Sequence, residues 1–489
     1  MTYIAASLAA AFLVVAFQKL QVLTVAAQAI KTSRDALDCL RSSSLTDSDK
    51  ERMLQKASLS LMLGFFSIIL RGVGAVAFSA LPVLGFGAAG LVEVSAVTGL
   101  LMTWQGIMLT SAVMLLMYLS IRQGRSDRQD KRSKPESNYS ALDRAFHGLA
   151  FGNPALQLTA ADIEEALYGG RFNHVKIQKP VFITSLPRAG TTLMLDSLTK
   201  IAPLAAHCYR DMPFVLAPVL WDKWSKRFRK PADLMERAHQ DGMMVGYDSP
   251  EAFEEILWRA FWPKKFVGNR IALWSSNEEG EEFAEFFRRH IKKIIWLRSQ
   301  ADQRRYVSKN NANIARIDFL KHLFPDGYIV VPFRNPLSQA RSLLSQHNRF
   351  LIRHKEDPFS KRYMNDIGHL EFGELLQPIA FEGMDEVVTR YRSESLEYWI
   401  GYWIQAFAHI IRHKDKVLFV SYETLCKKGI TGLCEIAGRI SLEPHELRNS
   451  AAASFHEPRE HTAESGGVDA QLLARAESLH RQLLDLSIV

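Results

Sequence analysis

The sequence predicts an α/β protein in which a parallel sheet carries helices on both faces, preceded by an α-helical membrane domain. Apolar residues dominate positions 1–121, whereas short β-rich runs alternate with helical patterns from about residue 141 onward. A polar, basic stretch, "RQGRSDRQDKRSKPESNYS", joins the two parts at 122–140. The chain has 489 residues, more than one ordinary core accommodates. We therefore expect a membrane region at 1–121, a linker at 122–140 and a soluble domain at 141–489.

The membrane prediction rests on three apolar stretches. The last, "VTGLLMTWQGIMLTSAVMLLMYLSI" at 97–121, is long enough to cross a bilayer, and only Thr, Gln and Ser interrupt it. The first runs from "YIAASLAAAFLVVAF" to Ile30, with Gln18 and Lys19 inside it. The middle stretch covers 57–92 and contains Arg71, a charge that is costly at the bilayer centre unless it is paired. We expect about three spans.

Alternatives remain for each of these stretches. The first resembles a secretory signal, because "AQA" at 27–29 has the form of a cleavage site, although no basic residue precedes the apolar core. The middle stretch is compatible with Arg71 pairing with Glu93, or with two half-length helices in a re-entrant hairpin. A buried helical hairpin in a soluble protein is the alternative for the whole region.

Basic residues predict the orientation of this region. Residues 31–56 carry six Lys or Arg and residues 122–134 carry another six, whereas residues 82–98 carry none. By the positive-inside rule both basic segments are cytoplasmic. Three spans with the amino terminus outside satisfy this rule, so we expect an integral protein of a bacterial-type inner membrane with its large domain in the cytoplasm. The linker at 122–140 is expected to lie along an anionic leaflet.

Composition narrows the ligand class. The net charge of +8 suits an acidic ligand or an anionic membrane surface and is too weak a bias to indicate nucleic acid. The four cysteines lie far apart, without a C-x-x-C pair or a nearby His cluster, so neither a disulfide framework nor a zinc site is indicated.

A strand, a loop and a helix are predicted over "FITSLPRAGTTLML" at 182–195. Apolar positions resume at helical spacing after the loop, so a helix should begin near Gly190. The first amides of a helix have no partner within it and its dipole is positive at that end, so the loop is suited to an anion. A Walker A loop needs a Gly-Lys pair, which is absent here. Arg188 instead offers a planar charged fork, and Thr191 and Thr192 add hydroxyls.

A second junction of the same kind is predicted in "VVPFRNPLSQARSLLSQH" at 330–347. Arg334 follows the end of a strand, and Ser342 lies eight positions later in the helix that follows Pro336. Both side chains can therefore approach one anion from two sides. In a parallel sheet, ligands gather where strands end and helices begin.

Together the two junctions resemble the sulfotransferase superfamily, and within it the bacterial, tyrosylprotein-type members. That family's P-[RK]-x-G-T-T loop binds the 5′-phosphosulfate of 3′-phosphoadenosine 5′-phosphosulfate (PAPS), and an Arg with a Ser eight residues later binds the 3′-phosphate. The resemblance extends over residues 178–430 and includes "SKNNANIARIDFLKHLFPDGYIVVPFRNP" and "VSYETL". The residues it assigns to the donor are Pro187, Arg188, Ala189, Gly190, Thr191, Thr192, Arg334 and Ser342.

The resemblance implies a P-loop-type parallel sheet and a PAPS-dependent sulfotransferase that needs no metal. A sulfuryl group is less anionic than a phosphoryl group, so fixed donors suffice to stabilise the leaving phosphate. Lys309, at a strand end, is implied as a second cation near the bridging oxygen, together with Arg188. Arg459 is a weaker candidate for the 3′-phosphate or adenine. His347 either lines the acceptor pocket or lies on the surface of its helix.

The general base is predicted among the carboxylates, because no His occupies the family's position. The resemblance makes Asp211 the first choice, because it lies 23 residues after Arg188, near where tyrosylprotein-type members carry their catalytic Glu. Glu254 is the second, in "SPEAFEEILW", where Glu251 and Glu255 are further acids. The alternative for this segment is a capped helix that begins at Pro250, with acids complementing its dipole.

Two other functions are compatible with the sequence. One is an ATP-dependent phosphotransferase on a degenerate loop, and the other is a non-catalytic membrane protein that binds a nucleotide. The membrane region favours a lipid- or glycan-linked acceptor with a hydroxyl or an amine. Aromatic stretches such as "ILWRAFWPKKF" suit an apolar pocket, although core packing explains most of these rings equally well.

Overall fold

A computed structural model describes two compact units, which divide between Pro135 and Glu136. It describes residues 1–20, 25, 32, 47–101, 103, 106, 110, 147–148, 150–151, 154–226, 235–236, 244–245, 249–266, 268–299, 304–443 and 468–489. The third predicted span beyond Leu101, apart from single positions, the linker at 122–140, Cys39 and Arg459 lie outside the described residues.

The described part of the first unit is helical. It contains α1 (Thr2–Lys19), α2 (Asp47–Ala88) and α3 (Val94–Leu101). The middle apolar stretch forms one continuous helix rather than two half-length helices. Arg71 donates to Ser67 Oγ at 3.0 Å and to the carbonyl of Leu20, and it does not pair with Glu93. Among the described residues one segment is long and apolar enough to cross a membrane, Ser60–Ala88, with a mean hydropathy of 2.0.

The second unit is built around a five-stranded sheet. Its strands are β1 (Val181–Ile183), β2 (Leu204–Ala205), β5 (Arg305–Lys309), β6 (Tyr328–Phe333) and β7 (Leu418–Ser421), in the spatial order β2-β5-β1-β6-β7 and all parallel. A separate antiparallel pair joins β3 (Met235–Glu236) and β4 (Met244–Val245). The α/β class and four of the five sheet strands agree with the sequence prediction, whereas β2 and the short pair did not emerge from it.

Helices cover both faces of this sheet. The described ones are α4 (Pro154–Phe172), α5 (Thr191–Ile201), α6 (Pro218–Ser225), α7 (Glu254–Phe261), α8 (Glu281–Arg298), α9 (Ile317–Leu323), α10 (Pro336–Glu356), α11 (Pro358–Asp366), α12 (Met384–Arg390), α13 (Leu396–Ile411), α14 (Tyr422–Lys428), α15 (Ile430–Arg439) and α16 (Ala470–Leu486).

The side chains of the central strand, β1, point alternately into two buried clusters. Val181 and Ile183 of β1 pack into one cluster with α5 and α15, whereas Phe182 between them packs into the larger, aromatic-rich cluster on the other face. Successive side chains of a strand point to opposite faces, and a parallel sheet is buried on both of them. This two-sided core holds the carboxyl ends of the strands in a fixed arrangement.

The segment before α7 differs from the sequence prediction. The helix begins at Glu254 with Phe253 at its N-cap, and not at Pro250. Pro250 instead forms an isolated antiparallel bridge with Cys208. Glu251 therefore lies before the helix, and the alternative of a capped helix that begins at Pro250 is wrong.

Candidate functional site

Four neighbouring strands end at the edge of the sheet that carries Lys309 and both predicted junctions. Lys309 ends β5, the loop with Arg188 follows β1, Arg334 follows β6, and Tyr422 follows β7. Because these strands are parallel and adjacent, their carboxyl ends meet at the same edge. The register aligns Ile183 with Lys309, so the loop after β1 begins beside this lysine.

The loop after β1 turns sharply before α5. Gly190 has φ of +89° and Arg188 has φ of +69°, a left-handed conformation that costs a residue with a side chain about 1–3 kcal/mol. Such strain occurs mostly at ligand-binding turns. Gly190 is the N-cap of α5 and has no side chain to satisfy the first amides. The turn and the first turn of α5 contain all the predicted loop residues: Pro187, Arg188, Ala189, Gly190, Thr191 and Thr192.

Helix α10 holds this loop through two polar side chains. Arg188 Nε donates to Ser342 Oγ at 3.0 Å, which joins the two predicted anion-binding junctions directly. Buried Gln339 donates to the carbonyls of Leu186 and Pro187 at 3.3 and 3.0 Å. Its own oxygen accepts from Trp403 Nε1 at 3.0 Å, which fixes the orientation of the amide. The loop is therefore attached to the helix that follows the second junction.

Arg334 carries an unsatisfied donor at this edge. Its Nε atom is buried and has no hydrogen-bond partner among the residues the structure describes. Oε1 of Glu423 lies 4.0 Å away, and the guanidinium stacks 5.2 Å from the centre of the Tyr422 ring. A buried donor without a partner costs about 1–3 kcal/mol, which an anion at this position would recover.

A chain of polar contacts connects the loop to a carboxylate outside the predicted set. Thr191 Oγ1 donates to Asn311 Oδ1 at 3.4 Å, and Asn311 Nδ2 donates to Glu371 Oε1 at 3.0 Å. His369 Nδ1 lies 3.4 Å from Glu371 Oε2. Lys309 is only 6% exposed. Burial raises the pKa of Glu371, but the hydrogen bond and charge of His369 and the charge of Lys309 lower it to about 2.

A narrow pocket opens beside this chain of contacts. Pro187 and Asn311 line it on the loop side, and Glu371 contributes a carboxylate. Most of the remaining wall is apolar or aromatic: Leu186, Ile271, Ile314, Leu370, Ile379, Trp399 and Tyr402. The space it encloses is about 30 Å³, enough for one or two waters or one end of a ligand.

Asp211 lies in a buried ion pair. Arg298 Nη2 donates to its two oxygens at 2.6 and 2.5 Å, the amide of Cys208 donates to Oδ2 at 2.9 Å, and His207 Nδ1 lies 3.6 Å from Oδ2. Burial raises the pKa of this carboxyl, but the charge of Arg298 and the contact with His207 outweigh it and lower the pKa. These contacts fit a residue that holds its turn in place, and the catalytic role of Asp211 stays a prediction.

Glu254 lies in the hydrophobic core under the sheet. Its Oε1 accepts from Trp258 Nε1 at 3.0 Å and from Asn313 Nδ2 at 2.7 Å, and its Oε2 accepts from Tyr306 Oη at 3.2 Å. Both oxygens therefore have protein partners. Glu255 accepts from both terminal nitrogens of Arg316 at 2.7 and 2.8 Å.

The structure also shows the contacts of two further candidates, Glu251 and His347. Glu251 accepts from Tyr209 Oη at 2.5 Å and from the amide of Ala252 at 2.8 Å. His347 is buried rather than on the helix surface, and its Nδ1 accepts from the amide of Gly373 at 3.1 Å.

Sequence reasoning missed Gln339 and Glu371. Gln339 lies five residues after Arg334, on a helix face that only the packed structure turns toward the loop. Glu371 follows the end of α11, where no periodicity or motif distinguishes it from a surface acid. The segment "HLEFGELL" gave no signal beyond its carboxylates.

Fold and site together define an α/β protein with two predicted anion-binding junctions at one sheet edge. The model of a family described as "Sulfotransferase family" matches residues 180–375, which contain both junctions. No curated protein matches the chain.

Several solved sulfotransferases are similar to the chain. Sulfotransferase STF9 from Mycobacterium avium is 14% identical, with 65% of this chain and 72% of that chain covered and a TM-score of 0.34. STF1 from Mycobacterium tuberculosis H37Rv is 13% identical, with 69% of this chain and 87% of that chain covered and a TM-score of 0.33. A sulfotransferase from Alicyclobacillus acidocaldarius is 11% identical, with 64% of this chain and 94% of that chain covered and a TM-score of 0.31.

Proposed function

We propose that this protein transfers a sulfuryl group from PAPS to a hydroxyl or amine of an acceptor. The observation that carries the proposal is the 3.0 Å contact between Arg188 Nε and Ser342 Oγ. It brings the loop expected to hold the phosphosulfate next to the helix expected to hold the 3′-phosphate. The match of residues 180–375 to the sulfotransferase family model supports the same chemistry.

The two junctions suit opposite ends of one donor. The open amides of α5 and the side chains of Arg188, Thr191 and Thr192 would bind the 5′-phosphosulfate. Arg334, whose buried Nε has no partner among the described residues, and Ser342 would bind the 3′-phosphate. No metal is needed in this scheme, because fixed cations and amides neutralise the donor. In the described part of the chain, no group of three or more His, Cys, Asp or Glu side chains could hold a metal ion.

The reaction is a direct displacement at sulfur. The acceptor oxygen forms a bond to sulfur as the bond from sulfur to the bridging oxygen breaks, and the electron pair leaves with adenosine 3′,5′-bisphosphate. Lys309 and Arg188 would stabilise the charge that develops on the bridging oxygen. The acceptor's proton passes to a base. Asp211 and Glu254 were the first candidates for this base, and their present partners would have to release them.

The acceptor is proposed to be lipid- or glycan-linked and to meet the enzyme at the cytoplasmic membrane face. The Ser60–Ala88 segment supports membrane attachment, since only 6% of its most apolar window is buried. Phe65, Phe66 and Leu70 are each at least 60% exposed. Large apolar side chains exposed along one helix indicate contact with an apolar environment.

Binding of adenosine 3′,5′-bisphosphate by the purified full-length protein in detergent tests the donor site. Arg188→Ala and Arg334→Ala should each weaken binding by at least about 30-fold, because truncating one member of a charge pair costs about 2–5 kcal/mol. Arg439→Ala, at an exposed position on α15, is the matched control and should bind like the wild type. Unchanged binding in both site variants would remove the basis of the proposal, as would magnesium-dependent ATP turnover without a response to PAPS.

The cysteines of the chain offer a test of orientation. Cys434 is exposed on α15 in the second unit. In a Cys39→Ser background, a membrane-impermeant maleimide should label Cys434 only after the inner membrane is permeabilised. Labelling in intact spheroplasts would place the second unit on the other side of the membrane.

A further inference from the structure

A carboxylate faces the pocket beside the loop, and neither anion-binding junction uses it. Glu371 lines the pocket together with Pro187 and Asn311, whereas Asp211 and Glu254 are absent from the pocket wall. The side chain of Glu371 is 25% exposed, so it is accessible to a small molecule in the pocket. Asp211 and Glu254 are each 1% exposed.

The contacts of Glu371 fix its position relative to the donor loop. Asn311 accepts from Thr191, at the start of α5, and donates to Oε1 of Glu371. One side chain therefore separates the carboxylate from the loop that would hold the sulfuryl group. The charge of Lys309, at the end of β5, also acts on Glu371. An acceptor hydroxyl in the pocket would lie beside both this carboxylate and Pro187 of the loop.

We propose that Glu371 is the general base that receives the proton of the acceptor, an inference that rests on the proposed sulfuryl transfer. The acceptor's O–H bond breaks and its proton joins a carboxylate oxygen of Glu371. The acceptor oxygen bonds to sulfur, and adenosine 3′,5′-bisphosphate leaves with the electrons of the broken bond. The apolar wall around Trp399 and Tyr402 indicates that the acceptor carries its hydroxyl on an apolar body.

The donor makes Glu371 a stronger base when it binds. In the free protein the charges of His369 and Lys309 hold the carboxyl pKa near 2, which corresponds to a weak base. The phosphosulfate brings negative charge to Lys309 and opposes this effect. The bound donor would therefore raise the pKa of Glu371 toward its ordinary range and make it a stronger base than in the free protein.

The test compares carboxylate variants of the full-length protein in detergent. Release of inorganic sulfate from ³⁵S-labelled PAPS, with water as the acceptor, measures turnover, and calorimetry with adenosine 3′,5′-bisphosphate measures binding. Glu371→Gln should lower turnover about 100-fold, since a general base contributes about 10²–10⁴-fold. Nucleotide binding should stay unchanged or tighten, because a charge that competes for Lys309 is gone. Glu371→Asp retains a carboxylate and should keep part of the rate.

Glu374→Gln is the matched control. Glu374 lies three residues further along the chain and bonds to exposed Lys361 at 2.5 Å, so both turnover and binding should equal the wild type. Turnover of Glu371→Gln within twofold of the wild type would overturn the proposal, as would a fall confined to Asp211→Asn. Loss of nucleotide binding in Glu371→Gln, or nucleotide binding by a wild type that releases no sulfate above the buffer rate, would also overturn it. A wild type that binds no nucleotide would instead refute the sulfuryl-transfer function itself.

Discussion

Substitution of Gly190 by alanine tests whether the loop geometry is as tight as the structure indicates. Gly190 has φ of +89°, and a Cβ atom at this position would lie 2.4 Å from Cδ2 of Tyr422 and 2.8 Å from Cε2. The Tyr422 ring cannot move away freely, because the guanidinium of Arg334 stacks 5.2 Å from its centre. The added methyl therefore strains the backbone and displaces a ring that supports the second anion-binding junction.

The expected loss of stability has two parts. A left-handed conformation costs alanine about 1–2 kcal/mol relative to glycine. Overpacking against the ring adds about 1–3 kcal/mol. We therefore expect Gly190→Ala to lower the free energy of unfolding by about 2–5 kcal/mol and to weaken the binding of adenosine 3′,5′-bisphosphate. Urea unfolding followed by tryptophan fluorescence measures the first effect, and calorimetry measures the second.

Substitution of Gly268 by alanine serves as a control that measures the backbone cost without the overpacking cost. It has φ of +77°, but an added Cβ atom would meet nothing within 4 Å. Gly268→Ala should therefore lose only about 1–2 kcal/mol and bind the nucleotide normally. In a double-mutant cycle, Tyr422→Ala should reduce the penalty of Gly190→Ala by about 1–3 kcal/mol. Equal destabilisation by the two glycine variants, or no coupling with Tyr422, would refute the reasoning.

Three further predictions follow from other contacts. Ser342→Ala should weaken the binding of adenosine 3′,5′-bisphosphate by at least about tenfold by calorimetry, since a hydrogen bond to a charged group contributes about 1.5–3 kcal/mol, whereas Ser345→Ala on the exposed side of the same helix should have no effect. Gln339→Leu removes two hydrogen bonds to the loop and should weaken the same binding by a similar factor, with exposed Gln482→Ala as its control. If Gln339→Leu binds like the wild type, these hydrogen bonds are not needed to hold the loop in its binding conformation. Burial and the neighbouring charge of His413 lower the pKa of His409 to about 4. Protonation therefore favours the unfolded chain, and the folded protein should lose up to about 3 kcal/mol as pH falls from 6.5 to 4. His409→Gln should flatten that slope in urea unfolding, and an unchanged slope would contradict the assignment.

The elements that sequence reasoning identified are those whose causes are local. In the sequence, a buried strand is visible as a short apolar run. A helix that starts after a left-handed glycine is visible as a turn residue followed by apolar residues at helical spacing. Strands β1, β5, β6 and β7 and the start of α5 were predictable for this reason. Strand β2 has only two residues, too few for any period to appear, so it was missed.

The candidate base was not predictable in the same way. Glu371 reaches the loop only because Asn311 bridges it to Thr191, over sequence separations of 60 and 120 residues. Asp211 lies at the distance from Arg188 that was expected of the base. That distance does not reveal that Arg298, at the end of α8, pairs with Asp211. Long-range polar partners decide whether a buried carboxylate is held or available, and a single sequence does not reveal them.

Charge connects the two halves of the proposed reaction. Lys309 ends the strand next to the donor loop, and it is also one of the cations that keep Glu371 ionised. A donor that neutralises this lysine would also change the electrostatics of the acceptor side of the proposed site. If the coupling exists, the carboxylate is a poor base while the donor is absent and a useful one when the sulfuryl group is in place. Binding of the donor would then both position the sulfuryl group and raise the basicity of Glu371, because the same buried lysine interacts with both.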